Sequence, residues 1–218
     1  MGSILDACAE RERETHENKS NDVIPKNKLA IIGFTGKAKS GKDTSAEVFR
    51  ELAGCDNCEV MSFAQPLKEI AMIFGFTREQ CYNQDLKEVV DEFWGITPRK
   101  FLQLTGTEMF RNHFREDCWT KLFERRIINL KKEITGPKCV LVTDVRFPNE
   151  VDCIRRLGGS IFKIQRPSLS TSSNMYRHPS EIYIDELKAD LIITNDYDNL
   201  DDYKLHCKEI FMEWVNKK

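Results

Sequence analysis

Apolar positions along this chain follow two different periods, and the alternation between them predicts the fold. "KLAIIGF" (28–34) is a continuous apolar run broken by glycine, as in a strand buried on both faces. Shorter runs at 59–63 ("EVMSF"), 139–144 ("CVLVTD"), 160–165 ("SIFKIQ") and 191–194 ("LIIT") read as further strands. Between them the spacing turns helical. Ala46, Phe49 and Leu52 share one face of a helix after the first strand, and helical pattern also covers 64–75, 77–93, 98–114, 117–133, 148–157 and 200–216. Pro98 and Pro148 sit where first turns tolerate proline, and Gly158-Gly159 ends a helix before a strand. Strands alternating with helices predict an α/β fold with a mainly parallel central sheet flanked by helices. The stretch 64–133 is too long for one crossover. It predicts a helical cap over the strand ends, where ligands bind in such sheets.

Residues 1–26 are polar and mixed in charge, which predicts a loosely ordered leader and a folded domain over 27–218. With 31% charged residues and a net charge of −2, the chain does not advertise nucleic acid or a membrane as partner. No run approaches the ~20 apolar residues of a membrane span. The N-terminus lacks a signal peptide's apolar core, and Asp6 replaces the hydroxyl a myristoylated Gly2 would require. Eight cysteines without a secretion signal suggest free thiols in a reducing compartment. These features predict a soluble, cytoplasmic protein.

The candidate chemistry begins at "FTGKAKSGKDTSAEVF" (34–49). Gly36, four residues, then Gly41-Lys42 has the spacing of a phosphate-binding loop, with a strand before it and a helix after. Gly36, Lys39, Ser40, Gly41, Lys42, Asp43 and Thr44 are therefore candidate ATP ligands. Lys42 would reach the β- and γ-phosphates. Asp43 stands where switch-type NTPases place a Mg²⁺-holding hydroxyl, and Thr44 comes one step late. That order is the one nucleoside monophosphate kinases use, in which Mg²⁺ keeps most of its waters. A chance glycine- and lysine-rich turn is the bland alternative. A switch GTPase is disfavoured, because Asp-x-x-Gly and Asn-Lys-x-Asp motifs are missing.

"CVLVTDVRFPNEVD" delivers Asp144 at a strand end, then Arg146 and Glu150. Asp144 suits a ligand for metal-bound water or an orienter of a substrate hydroxyl, and Arg146 suits bidentate phosphate binding. An ordinary acidic helix start with an incidental arginine fits the same letters. "TPRKFLQLTGTEMFRNHFREDCWTKLF" sets Arg99, Gln103, Gly106, Thr107, Arg111 and Trp119 in the cap. Glycine in mid-helix is costly unless the backbone must pass close to something. Trp119 fits either a core position or a platform stacked on a base. "RPSLSTSSNMYRHPSE" carries Arg166 and Arg177 around a polar loop that could close as a lid over about 166–180, or simply be solvated surface. His178, Ser180 and Glu181 look like a helix cap as much as a site. Cys55 and Cys58 have metal-ligand spacing without a partner pair.

In order, "GKAKSGKDT", "FAQPLKE", "PRKFLQLTGTEMFR" with "WTKLF", "TDVRFPNE", and "HPSE" ahead of "DLIITND" resemble the deoxynucleoside monophosphate kinases of large DNA bacteriophages and related viruses. The resemblance spans residues 28–200. It implies a P-loop kinase that moves the γ-phosphoryl of ATP, with Mg²⁺, onto a deoxynucleoside 5′-monophosphate, a step of deoxynucleotide biosynthesis. Lys42 and the loop would hold ATP, and Asn195 would approach the adenine. Lys68, Arg99 and Arg111 would line the acceptor's path, while Gly106, Thr107 and Trp119 shape its pocket. Asp144, Arg146 and Glu150 would face its phosphate and sugar, with Arg177 in the lid. Nucleotide partners and a homodimer are implied too. The compact segment between Gly75 and Pro98, where the phage enzymes can carry an insertion, leaves base choice open. Phosphomevalonate kinase shares the Gly-Lys-Asp loop and is the enzyme alternative; a silent ATP-binding module is the other.

Overall fold

The computed structural model describes residues 29–136, 138–169 and 179–217, with the side chains of 169 and 179–182 outside that description. The leader 1–26, Arg177 and most of the expected lid lie outside the described residues.

Five parallel strands, β1 (Leu29–Thr35), β2 (Cys58–Met61), β3 (Lys138–Val142), β4 (Ser160–Gln165) and β5 (Leu191–Thr194), form one sheet in the order β2-β3-β1-β4-β5. The first strand is central because it is apolar on both faces. Ile32 and Phe34 point into one core, with Phe49, Leu141, Phe162, Tyr203 and Phe211. Ile31 points into the other, with Val140, Val142, Phe123, Ile127 and Ile154. The helices that cover the sheet are α1 (Lys42–Ala53) and, further along, α5 (Cys118–Glu133), α6 (Pro148–Arg156) and α8 (Leu200–Asn216). This confirms the mainly parallel α/β architecture. The strand order reverses around β1, so its C-terminal end opens a crevice flanked by the ends of β3 and β4.

The cap is more broken than its apolar spacing suggests. α2 (Gln65–Ile73) is followed by a short α3 (Arg78–Tyr82), a 3-10 turn at Leu86–Glu88, α4 (Pro98–Gln103) and a π-helix over Leu104–Phe114. The expected helix 77–93 fails for a local reason. Asn83 Oδ1 accepts from the N–H groups of Asp85 and Leu86, and Asp91 Oδ1 from those of Phe93 and Trp94. Such side-chain turns compete with the helical ladder. The cap has its own small core of Ala71, Phe76 and Cys81, with Phe101 against it. Another helix, α7 (Pro179–Glu186), follows the point where the sequence suggested only a cap. No helix among the described residues is long and apolar enough to cross a membrane.

Candidate active site

Between β1 and α1 the chain makes a tight cradle that only glycine allows. Gly36 and Gly41 have φ of 148° and 107°. A Cβ on Gly36 would lie 2.4 Å from the Ile164 carbonyl oxygen, and one on Gly41 2.7 Å from Asn195 Nδ2. Gly41 caps α1 without a side-chain acceptor, so the helix's first N–H groups are not closed off by a cap. Lys42 folds back over the loop, donating to the carbonyls of Gly36 (2.8 Å) and Lys37 (2.7 Å). The hydroxyls of Thr35 and Ser40 are buried with no hydrogen-bond partner among the described residues. Orphaned buried donors beside an open helix start fit an anion.

The loop is braced from behind. Asn195 Nδ2 donates to the Ser40 carbonyl at 2.9 Å, and Ser45 Oγ donates to the Gly41 carbonyl at 3.0 Å. Tyr203 lies 2.6 Å from Ser45 Oγ, and burial raises its hydroxyl's pKa. Asn195 is 7% exposed, donates an amide N–H to the loop backbone and so braces the cradle, and it also lines the cavity in front of the loop. In front of the loop lies a cavity of about 400 Å³ whose walls include Lys39, Lys42, Thr44, Arg166, Tyr197 and Asn199. Among the described residues no group of three or more His, Cys, Asp or Glu could cage a metal ion. Isolated Asp43 and Thr44 at the rim of that cavity suit an ion that arrives on phosphate oxygens with its own waters.

The end of β3 builds a second cationic edge. Asp144 accepts from the N–H groups of Phe63 (2.8 Å) and Ala64 (2.9 Å), which pins the start of α2 to the strand end. Glu150 does not face outward. At 2% exposed, it pairs with Arg111 at 2.6 Å and accepts from the N–H groups of Arg146 (2.8 Å) and Phe147 (3.1 Å). Burial pushes its carboxyl up to about 7, while Arg111 and the two N–H groups pull the other way. Arg111 lies 3.9 Å from the centre of the Phe147 ring and is likewise enclosed. The pair fixes the backbone that presents Arg146, whose own side chain is exposed.

From the cap, Lys68 comes near Asp144, Arg146 and Asp43, and burial lowers its pKa. Arg99 is held by Glu88 and, at 3.3 Å, by Gln84. Trp119 is core. It is 6% exposed, packs 5.0 Å from Phe110 and donates its indole N–H to the Gly106 carbonyl at 3.0 Å. It therefore offers no stacking face and shapes the π-helix from within. Gly106 meets the close approach its position implied, because a Cβ there would lie 2.6 Å from Leu67 Cδ2. Because that atom is the free end of a flexible side chain, Gly106→Ala is expected to change stability by less than about 1 kcal/mol, the helix propensity of alanine offsetting the displacement of Leu67. A urea melt checks it, and a loss above about 3 kcal/mol, the upper end for overpacking, would show that Leu67 cannot move.

With this geometry in place, the comparison with known proteins is decisive. The family model for deoxynucleotide monophosphate kinase matches residues 72–206. This chain belongs to that family. A protein of Acanthamoeba polyphaga mimivirus assigned to the same family is 34% identical over 178 residues, covering 77% of this chain and 89% of its own. The deoxynucleoside-5′-monophosphate kinase of Escherichia phage T5 is 28% identical, covering 80% and 93%. Among solved structures, a dephospho-CoA kinase from Campylobacter jejuni superposes with a TM-score of 0.46 at 15% identity, over 87% of this chain and 99% of that one.

In this kinase the residues singled out in the sequence divide into two kinds. Lys42 lies on the loop itself, and Lys68 comes near Arg146 and Asp43 at the strand ends, while Arg99 is held by Glu88 and Gln84. Glu150, Arg111, Trp119, Asn195 and Asp144 are engaged by the protein itself, because each finds a backbone or charged partner that the linear sequence does not display. Arg166 and Tyr197 take part in the cavity wall. Arg166 could be read from its place after β4, whereas nothing in the pattern marks Tyr197.

Proposed function

We propose that this chain transfers the γ-phosphoryl group of ATP to a deoxynucleoside 5′-monophosphate, giving the diphosphate and ADP. The observation that carries the reading is the facing of two cationic sites: Lys42 on the loop, and Lys68 with Arg146 close to Asp43 of that same loop. An anion on each side would be brought in line, with the repulsion between them offset. An acceptor phosphate oxygen attacks the γ-phosphorus, the bond to the β–γ bridging oxygen breaks, and ADP leaves. No general base is needed, because the acceptor phosphate has a second pKa of about 6 and is already a nucleophile. Lys42 meets the charge on the transferring group, while Arg146, Lys68 and Arg99 hold the acceptor. Mg²⁺ would offset the charge of the β- and γ-phosphates, and Asp43 and Thr44 are the residues that would hold its waters.

Family membership favours a nucleotide acceptor over phosphomevalonate, since the matched span contains "LQLTGTEMF" and Trp119. The test is ADP release from ATP and Mg²⁺ with dTMP, dGMP, dCMP, dAMP, GMP or phosphomevalonate offered separately. Turnover is expected with at least one deoxynucleotide. Arg146→Ala should raise the KM for that acceptor by about 10- to 100-fold, the value of a charge-assisted contact, and leave the KM for ATP unchanged. Turnover on phosphomevalonate alone, or on none of the six, would end this reading.

A further inference from the structure

The metal-ligand spacing of Cys55 and Cys58 acquires a third thiol in the fold, and the three suit redox chemistry better than a metal. Cys55 opens a 3-10 turn (Cys55–Asn57), and Cys58 begins β2 directly after it. In the parallel register Cys58 stands opposite Cys139 of β3. Paired residues of neighbouring parallel strands send their side chains to the same face. Both enter the core layer that contains Phe49 of α1, with Cys139 only 1% exposed and Cys58 half-buried against it. The strand spacing of about 4.8 Å lies within the Cα separation of about 4.4–6.8 Å that a disulfide spans. Elsewhere Cys81, Cys153 and Cys207 turn to the Lys68 carbonyl, the Thr120 carbonyl and the Ser45 hydroxyl.

The surroundings favour a thiolate at Cys58. The Cys139 thiol donates a hydrogen bond to the Cys58 sulfur, which lowers the Cys58 pKa against the effect of burial and raises that of Cys139. Arg50 of α1 adds to the lowering, while Glu47 and Glu59 oppose it. The Arg50 guanidinium also comes within 4.0 Å of Cys55 Sγ, and its Nε is buried with no hydrogen-bond partner among the described residues. A cation with an unused donor thus stands beside the turn. We propose that Cys58 is a peroxide-reactive thiol that closes a reversible disulfide onto Cys139. The Cys58 sulfur attacks a peroxide oxygen, the O–O bond breaks, and the leaving oxygen takes a proton from water, which leaves Cys58 as a sulfenic acid. The Cys139 sulfur then attacks Cys58: the S–S bond forms, the S–O bond breaks, and the hydroxyl departs as water with the Cys139 proton. Side chains that leave parallel strands side by side stand slightly wider apart than a relaxed disulfide prefers, so the bond is readily reduced. That suits a compartment in which the thiols are otherwise free.

The experiment treats reduced full-length wild type, Cys58→Ala, Cys139→Ala and Cys55→Ser with hydrogen peroxide. Free thiols are then blocked, the protein is digested without reductant, and linked peptides are identified by mass. Wild type and C55S are expected to give a peptide joined through Cys58 and Cys139 that dithiothreitol removes, and C58A none. In C139A the sulfenic acid has no thiol opposite, so dimedone should label Cys58. The bond would enclose the whole helical cap in one covalent loop. Oxidised wild type should therefore melt about 4 °C above the reduced protein, the low end for a disulfide in a domain of this size because closure pulls on the sheet. C58A should show no such rise. A peptide joining Cys55 to Cys58 instead, a Cys58 that peroxide leaves free to alkylate, or linkage only after unfolding in urea overturns the inference, as does a linked protein that melts no higher than the reduced one. Should Cys139→Ala fail to fold, the wild-type peptide decides alone: present it supports the pair, absent it ends it.

Discussion

Lys42→Ala is expected to lower kcat by about 10²- to 10³-fold while leaving the protein folded, the range seen when one preorganised charge-stabilising donor is removed. The size follows from where the ammonium sits. It donates to the carbonyls of Gly36 and Lys37, at the lip of the cradle where the phosphates of ATP would lie. Charge that builds on the transferring group therefore meets a cation already in position, with little reorganisation during the step. Alanine at the first position of α1 keeps the helix, since it has the best helix propensity. Lys42→Arg should not restore the rate, because a planar fork cannot occupy the space of a point charge held between two carbonyls. ADP release alongside a thermal melt checks both parts. A kcat for Lys42→Ala within about tenfold of wild type, less than the loss of a single such donor, would mean that this loop is not where phosphoryl transfer occurs. The contrast with Arg146→Ala is diagnostic, because that change is expected to act on the acceptor's KM.

The sheet was legible because its inner strands β1, β3 and β4 are almost wholly buried and read as mostly apolar runs, whereas the edge strands β2 and β5 are shorter and expose Val60 and Ile192. The phosphate loop was legible because glycine at Gly36 and Gly41 is forced by contacts that would reject any Cβ. The cap was not. Val89, Val90 and Phe93 have helical spacing over 77–93, yet they are exposed, and the backbone there follows Asn83 and Asp91. The π-helix could not be told from an α-helix in the amphipathic pattern, and Gly106 marked only the close approach to Leu67. For the site, strand ends marked Lys42, Asp144 and Arg146, but pairing was invisible. Nothing local tells that Arg111 meets Glu150 across the fold, or that Asn195 donates to the Ser40 carbonyl.

Glu150→Ala is expected to cost about 3–5 kcal/mol, the range for a buried ion pair that loses one partner. For a domain of this size that lowers Tm by roughly 2–4 °C for each kcal/mol. Two losses combine in this change. The Arg111 guanidinium, its side chain 10% exposed, is left without its carboxylate, and the N–H groups of Arg146 and Phe147 lose their acceptor at the start of α6. Arg111→Met should cost less, about 1–3 kcal/mol, because the two partners are not equivalent. Arginine cannot shed its charge, whereas Glu150 is already pushed up to about 7 and can take a proton once its cation is gone. The same shift sets the pH dependence. Folding raises this carboxyl from 4.5 to about 7, so the native state holds the proton longer than the unfolded chain. Stability attributable to Glu150 is thus full below about pH 4.5 and is lost as pH rises through about 7. Glu150→Gln should flatten that slope, and Arg111→Met should extend it to higher pH. Urea unfolding at about pH 6 and about pH 8 checks the set. Equal losses for Glu150→Ala and Arg111→Met, or a slope in Glu150→Gln matching wild type, would show that the pair does not govern how Arg146 is held.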